Sequence, residues 1–357
     1  MNKLKVAIIG CGRIAGYLED DILRAKPCTH VGAYRHFHEI EITACCSQTE
    51  ENARKFAERF DIPHFYTDAD KLLKKEKPDI ISITTHAPLH AELTIKAARS
   101  GVKGIFCEKA IACSLREADE MTAVCEKYGT VLSVNHTRRW ESHYKFAKHL
   151  IGTGAIGTMQ TITGYFSGNL IHTGTHMYDA MLYLAGKPLK VLANIDEKVS
   201  KETSGYALNG EDEKIEDRDG SLIINFEKDV TAYVYGQGKK YFIFELDVMG
   251  TEGRIKLGNG LFEYWAMEPS KAYEKFLELR KRDLCLLKTG NALINAVADL
   301  IGAVKEGRNT LSTGKDAGQS LEIALAAYES HYEKKGKAVK LPLKDRDRIV
   351  VSRKKQV

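Results

Sequence analysis

From residue 3 to about residue 134, short apolar and often β-branched runs alternate with stretches whose apolar positions recur at helical spacing. That alternation is the pattern of β-α-β units, which build a parallel sheet with helices on both faces. Residues 5–9, 40–46, 80–84, 104–107 and 130–135 read as strands, with helices at 50–60, 89–100 and 115–128. After about residue 140 the texture changes: 159–166, 191–199, 220–225, 230–236 and 242–250 are separated by turns, as in a largely antiparallel sheet. Amphipathic helices are predicted at 291–305 and 316–334. The expected class is therefore α/β, with a doubly wound domain over 1–130 followed by an α+β domain over 131–357 on a large, mainly antiparallel open sheet. A continuous crossover at 135–140 joins them.

Composition narrows the classes without changing that picture. A chain of 357 residues, 43% apolar and 28% charged, is globular and long enough for two cores. Its net charge of +5 comes from 53 basic and 48 acidic residues scattered along the chain, so no nucleic-acid footprint is expected. The basic stretch 345–355 reads as a solvated C-terminus. No run approaches the roughly 18 apolar residues of a membrane span, and no cleavage-like site follows the start, so a soluble cytoplasmic protein is expected. The eight cysteines form no C-x-x-C pair, which fits packed, reduced thiols better than a disulfide framework or a zinc site.

Gly10-Cys11-Gly12-Arg13-Ile14-Ala15 follows the first strand and opens a helical segment, giving G-x-G-x-x-A in the context of a Rossmann dinucleotide turn. Gly10 permits the tight turn, Gly12 lets backbone approach a pyrophosphate, and the helix N-terminus offers N–H donors to it, with Arg13 and Ile14 alongside. No acid ends the second strand, where Ser47-Gln48-Thr49 stands instead. A carboxylate there would bind ribose hydroxyls and repel a 2′-phosphate, so the cofactor is NAD or NADP, with NADP favoured.

Thr84-Thr85-His86 and His90 leave the third predicted strand at the ligand-binding edge, and Glu108-Lys109 leave the fourth beside the expected nicotinamide. The segment 168–179 carries His172 and His176 at i and i+4, with Asp179 three residues further on. On a helix opening there, the three would share a face. An H-x-x-x-H pair also suits a metal, but no third ligand with the usual Glu pattern is near, so none is expected.

Taken in order, the glycine turn, Glu108-Lys109, Asn135-His136-Thr137-Arg138-Arg139-Trp140, Gly174-x-His176-x-x-Asp179 and 249–255 resemble the Gfo/Idh/MocA family of sugar and cyclitol oxidoreductases. The likeness spans nearly the whole chain. It implies nicotinamide-dependent redox chemistry at a carbon of a sugar, sugar derivative or cyclitol, with Lys109 and His176 catalytic. Asn135, Arg138, His172 and Asp179 would help hold substrate, and the open sheet would pair in a homodimer or homotetramer. Imidazole titrates near neutral pH and can exchange the hydroxyl proton, while a lysine ammonium can stabilise developing alkoxide charge. A redox-neutral enzyme that uses NAD transiently, such as an epimerase or glycosidase, and a non-catalytic dinucleotide-binding regulator are the alternatives.

Three departures from the family pattern bear on substrate and cofactor. Ala110 replaces the proline of E-K-P, His172 stands where the family has Asp, and residues 17–29 look like an insertion before the His30-x-x-Ala33 helix. The insertion reads either as a longer, charged first helix or surface loop, or as a lid that covers the cofactor or shapes the sugar pocket.

Overall fold

A computed structural model describes residues 3–197, 206–209, 214–237, 241–283 and 290–352. Cys285, residues 198–199 of the strand predicted at 191–199 and residues 353–355 of the basic tail lie outside them. Contacts divide the chain into two compact units, Met1–Glu141 with Gly290–Gly318, and Ser142–Thr289 with Gln319–Val357.

In the first unit β1 (Leu4–Ile9), β2 (Ile40–Cys46), β3 (His64–Tyr66), β4 (Ile80–Ile83), β5 (Gly104–Cys107) and β6 (Val131–Val134) form one sheet in the order β3-β2-β1-β4-β5-β6. Every neighbouring pair is parallel. The order reverses between β1 and β4, and the loops leaving their carboxyl ends open the crevice where such sheets bind ligands. Burial on both faces explains the continuous apolar runs: all four residues of β4 and of β5 are buried. β3 was not legible, being three half-polar residues at the sheet edge.

The units depart from the expected division after residue 130. β6 completes the first sheet, and the helix Ala292–Glu306 returns to cover it. Leu293, Ala296, Val297, Leu300 and Ile301 form the apolar stripe of that helix and pack with Val6, Tyr34, Ile80, Phe106 and Trp140. Gly104 makes the approach possible, since a Cβ there would lie 2.6 Å from Val304.

The first helix is interrupted. Gly16 N–H donates to Gly12 O, while His30 and Val31 N–H donate to Ile14 O and Ala15 O at 3.1 and 3.0 Å. The turn begun at 12–15 is thus continued by His30–Tyr34, with the intervening residues looped out. The segment expected to be an insertion leaves the helical path, beginning in the short 3-10 turn Tyr17–Asp20, so it is not a longer first helix.

The second unit holds a nine-stranded sheet ordered Leu277–Lys281, Leu261–Pro269, Gly253–Gly258, Phe244–Gly250, Met159–Ser167, Thr231–Gln237, Gly220–Phe226, Pro188–Ile195 and Val339–Lys340. Only Met159–Ser167 and Thr231–Gln237 run parallel. The strands Leu261–Pro269 and Leu277–Lys281 escaped the sequence pattern, because the first is half-buried along most of its length and shows no alternation. Gly164 lets the helix Gly174–Ala185 close on the sheet, where a Cβ would meet Met181 and Met177 at 2.5 and 2.8 Å. Among the described residues no helix is long and apolar enough to cross a membrane.

Candidate functional site

The two predicted turn glycines do different work. Gly10 has φ +105, and a Cβ on it would lie 2.7 Å from backbone atoms of both Thr84 and Thr85. Side chains are excluded there by backbone conformation and by the close packing of the β1 and β4 turns. At Gly12 a Cβ would meet nothing within 4 Å. This open ground, beside the exposed Arg13 and half-buried Ile14, is what a pyrophosphate needs to approach backbone N–H groups. The residues therefore fit a dinucleotide. Gly12→Val is expected to retain the wild-type melting temperature and lose dinucleotide affinity by about tenfold or more, read by calorimetry and fluorescence titration; equal binding would remove the pyrophosphate from this turn.

Around the turn, Thr84 is buried and its hydroxyl donates to Gly10 O at 2.6 Å. The Thr85 hydroxyl is buried without a hydrogen-bond partner. His86 is exposed. Ser47 N–H donates to Tyr66 O at 3.1 Å, and Thr49 caps the helix Glu50–Arg59, which leaves Ser47 half-buried and Gln48 exposed at the end of β2. The Cys11 thiol is raised far above its ordinary value by hydrogen bonding to Cys45 and by burial, so it stays protonated.

Glu108 and Asn135 meet directly. Asn135 Nδ2 donates to Glu108 Oε1 at 2.6 Å, and His30 Nε2 lies 3.1 Å from the same oxygen. Burial pushes the Glu108 carboxyl up, but the His30 hydrogen bond and charge, the Asn135 amide and the Lys109 ammonium outweigh it, and the group stands below its ordinary value. Lys109 is half-buried, and the Lys109–Ala110 peptide is cis. The following turn, Thr137–Trp140, is tied down by Trp140 Nε1 to Asp299 at 2.9 Å and by Arg139 to Asp316 at 3.2 Å, and it carries the half-buried Arg138.

His90 was expected to touch cofactor. It is instead fully buried, with Nδ1 2.9 Å from Ala110 O and Nε2 3.0 Å from Thr85 O. Burial lowers it below the ordinary imidazole value. His30 escaped the sequence reading as a site residue, although the His-x-x-Ala match singled out its position.

In the second unit the helix begins at Gly174, so His172 lies outside it in the preceding turn and does not share a helical face with His176 and Asp179. That turn is held by Asp217, whose carboxylate accepts from Ile171 and His172 N–H at 2.9 and 3.0 Å and from Tyr328 OH at 3.0 Å. His172 is exposed, His176 is half-buried and Asp179 is fully buried, which removes Asp179 from any surface that substrate touches in this state. Gly174 accommodates the Tyr178 hydroxyl, which would lie 2.7 Å from a Cβ. Asp217, remote in sequence and without a motif, had no signal in the chain.

The insertion packs along the helix Glu50–Arg59: Tyr17 meets Phe56 and Phe60 at centroid distances of 5.5 and 5.7 Å, and Arg59 pairs with Asp20 at 3.0 Å. These contacts lie toward the C-terminal end of that helix. Among the described residues no group of three or more His, Cys, Asp or Glu side chains is arranged to hold a metal ion.

A 3-2-1-4-5-6 parallel sheet with a glycine turn at its switch point defines a dinucleotide-binding α/β protein with a second, sheet-based unit. Residues 4–136 match the NAD-binding Rossmann fold of the GFO_IDH_MocA oxidoreductase family, and 164–341 match its C-terminal alpha/beta domain. The chain belongs to that family of oxidoreductases. It is 26% identical to D-apiose dehydrogenase of Paraburkholderia graminis, covering 96% of this chain and 90% of the relative. It is 28% identical to 2,7-anhydro-N-acetylneuraminate hydratase of Mediterraneibacter gnavus over 58% of each chain. The solved levoglucosan dehydrogenase, in complex with NADH and levoglucosan, has the same fold, with TM-score 0.78 and 19% identity over 96% of this chain and all of that one.

Proposed function

We propose that this protein transfers hydride between a nicotinamide dinucleotide and a hydroxyl-bearing carbon of a sugar, sugar derivative or cyclitol. The observation that carries the reading is the paired arrangement at the first sheet's edge: a glycine turn with open ground at Gly12, and Glu108-Lys109 beside Asn135 two strands away. Gly10, Gly12, Arg13, Ile14, Ser47, Gln48, Thr84, Thr85 and His86 would hold the dinucleotide, which supplies the hydride chemistry when bound. Lys109 donates a hydrogen bond to the substrate oxygen and stabilises its negative charge. His176 takes the hydroxyl proton in oxidation and returns it in reduction. Asn135, Arg138 and His172 orient the sugar. NADP is the preferred dinucleotide in this reading, because Ser47 stands at the end of β2, where a ribose-binding acid would repel a 2′-phosphate; Glu50 and Glu51, in the next helical turn, act against that preference.

A panel of sugars and cyclitols with NADP or NAD tests the reading, since nicotinamide absorbance changes one-for-one with product. Substrate conversion with no net absorbance change would instead mark a redox-neutral enzyme, the reading favoured by the likeness to the hydratase. Dinucleotide binding with no turnover would mark a regulator. NADPH is expected to bind more tightly than NADH, and a preference for NADH of about tenfold would overturn the assignment. The outward face of the nine-stranded sheet, where Tyr165, Ile223, Tyr233 and Tyr235 are exposed, supports a homodimer or homotetramer. Light scattering on the same preparation would contradict this by reading a monomer. A cytoplasmic location belongs to the same reading.

A further inference from the structure

Lys109 sits in a loop, and a loop lysine reaches a fixed point only if its backbone flanks are held. The family's proline after the lysine is absent here. Two fully buried imidazoles contact the flanks instead.

On the N-terminal side, His30 Nε2 is 3.1 Å from Glu108 Oε1, and His30 Nδ1 is 3.0 Å from Ser82 Oγ, which lies 2.9 Å from Tyr34 OH. The ionised carboxylate accepts, so Nε2 carries a hydrogen, and Ser82 Oγ links Nδ1 to Tyr34 OH, whose phenol burial keeps protonated. His30 Nε2 thus donates to Glu108 and holds it, with Asn135 Nδ2 as the second donor. The excursion contributes here, because Glu19 Oε1 accepts from Cys28 N–H and Thr29 Oγ1, each at 2.8 Å, immediately before His30.

On the C-terminal side, His90 is wedged between Ala110 O and Thr85 O, so its N–H donates to a carbonyl of one of these two loops while the ring packs against both. Thr85 belongs to the turn packed under Gly10. The backbone after Lys109 is thereby referenced to the dinucleotide turn. Neither ring reaches the surface, so neither can touch substrate or cofactor, and each places one nitrogen on a residue flanking Lys109, His30 on Glu108 and His90 on Ala110.

We propose that His30 and His90 are positioning residues that hold the Lys109 side chain against the substrate, His30 through Glu108 and His90 through the Ala110 carbonyl. The inference rests on the reading of Lys109 as the group that binds the substrate oxygen. Competitive acetylation of Lys109, read by mass spectrometry on the NADPH-bound full chain, reports its placement without requiring turnover. His30→Ala and His90→Ala are expected to change the Lys109 labelling rate by about threefold or more relative to exposed lysines and to lower kcat by about 10–10²-fold, with KM for NADPH nearly unchanged. His90→Gln, which keeps an N–H donor, should recover part of both. Ser82→Ala leaves both rings in place and serves if the alanine variants fail to fold; it should move labelling in the same direction by less. Unchanged labelling in folded variants would overturn the proposal, as would losses of kcat and NADPH binding in equal measure. A wild-type chain that turns over no sugar would count against the enzymatic reading alone, because the labelling result still decides whether these imidazoles place Lys109.

Discussion

Lys109→Ala is expected to lower turnover by about 10²-fold or more while leaving dinucleotide affinity within about threefold. The asymmetry follows from what the side chain is asked to do. As the substrate hydroxyl loses its proton, negative charge gathers on its oxygen, and an ammonium already in place stabilises that charge without reorganising. In a half-buried setting such a contact is worth more than in water. The dinucleotide phosphates lie over Gly12 in this account, so they should not register the loss. Lys109→Arg keeps the charge but presents a planar fork where a compact ammonium is needed, and it should recover little. Steady-state kinetics with fluorescence titration of NADPH check both statements; a matching fall in affinity would make Lys109 a cofactor-binding residue.

His176→Ala carries the second large effect, again about 10²-fold or more in turnover. Here the lost function is proton exchange, so the pH profile should change shape as well as height. The wild-type rate of oxidation should rise with pH through an imidazole titration, and that limb should vanish in the variant. The turn before the helix is held by Asp217, itself bonded to Tyr328, so the melting temperature should hold. A variant that keeps the pH limb would move the base elsewhere, and His172, exposed in the adjoining turn, would be the next residue to replace.

The parallel sheet was legible in the sequence because its strands are buried on both faces and read as unbroken apolar runs, Val6–Ile9 and Ile80–Ile83 among them. The return of Ala292–Glu306 to that sheet was not legible: its apolar stripe is plain, but a stripe does not say which sheet it covers. The same limit explains the site. Motif spacing singled out Gly10, Gly12, Glu108, Lys109, Asn135 and His176, whose proposed chemistry is tied to local patterns. It assigned His90 to the cofactor, because burial and contacts with Thr85 O and Ala110 O depend on three loops meeting. It gave Asp179 a substrate role that its complete burial removes, and it put His172 on a helix that begins two residues later. His30 and Asp217 act through partners far away in the chain, which no local pattern records.

A crystal structure of the full chain with NADPH and a turned-over sugar tests the central claim most directly. The account predicts Lys109 Nζ and an imidazole nitrogen of His176 within hydrogen-bond reach of one substrate oxygen, whose carbon faces the nicotinamide. Finding the two side chains in separate cavities, or the dinucleotide away from Gly12, would contradict it.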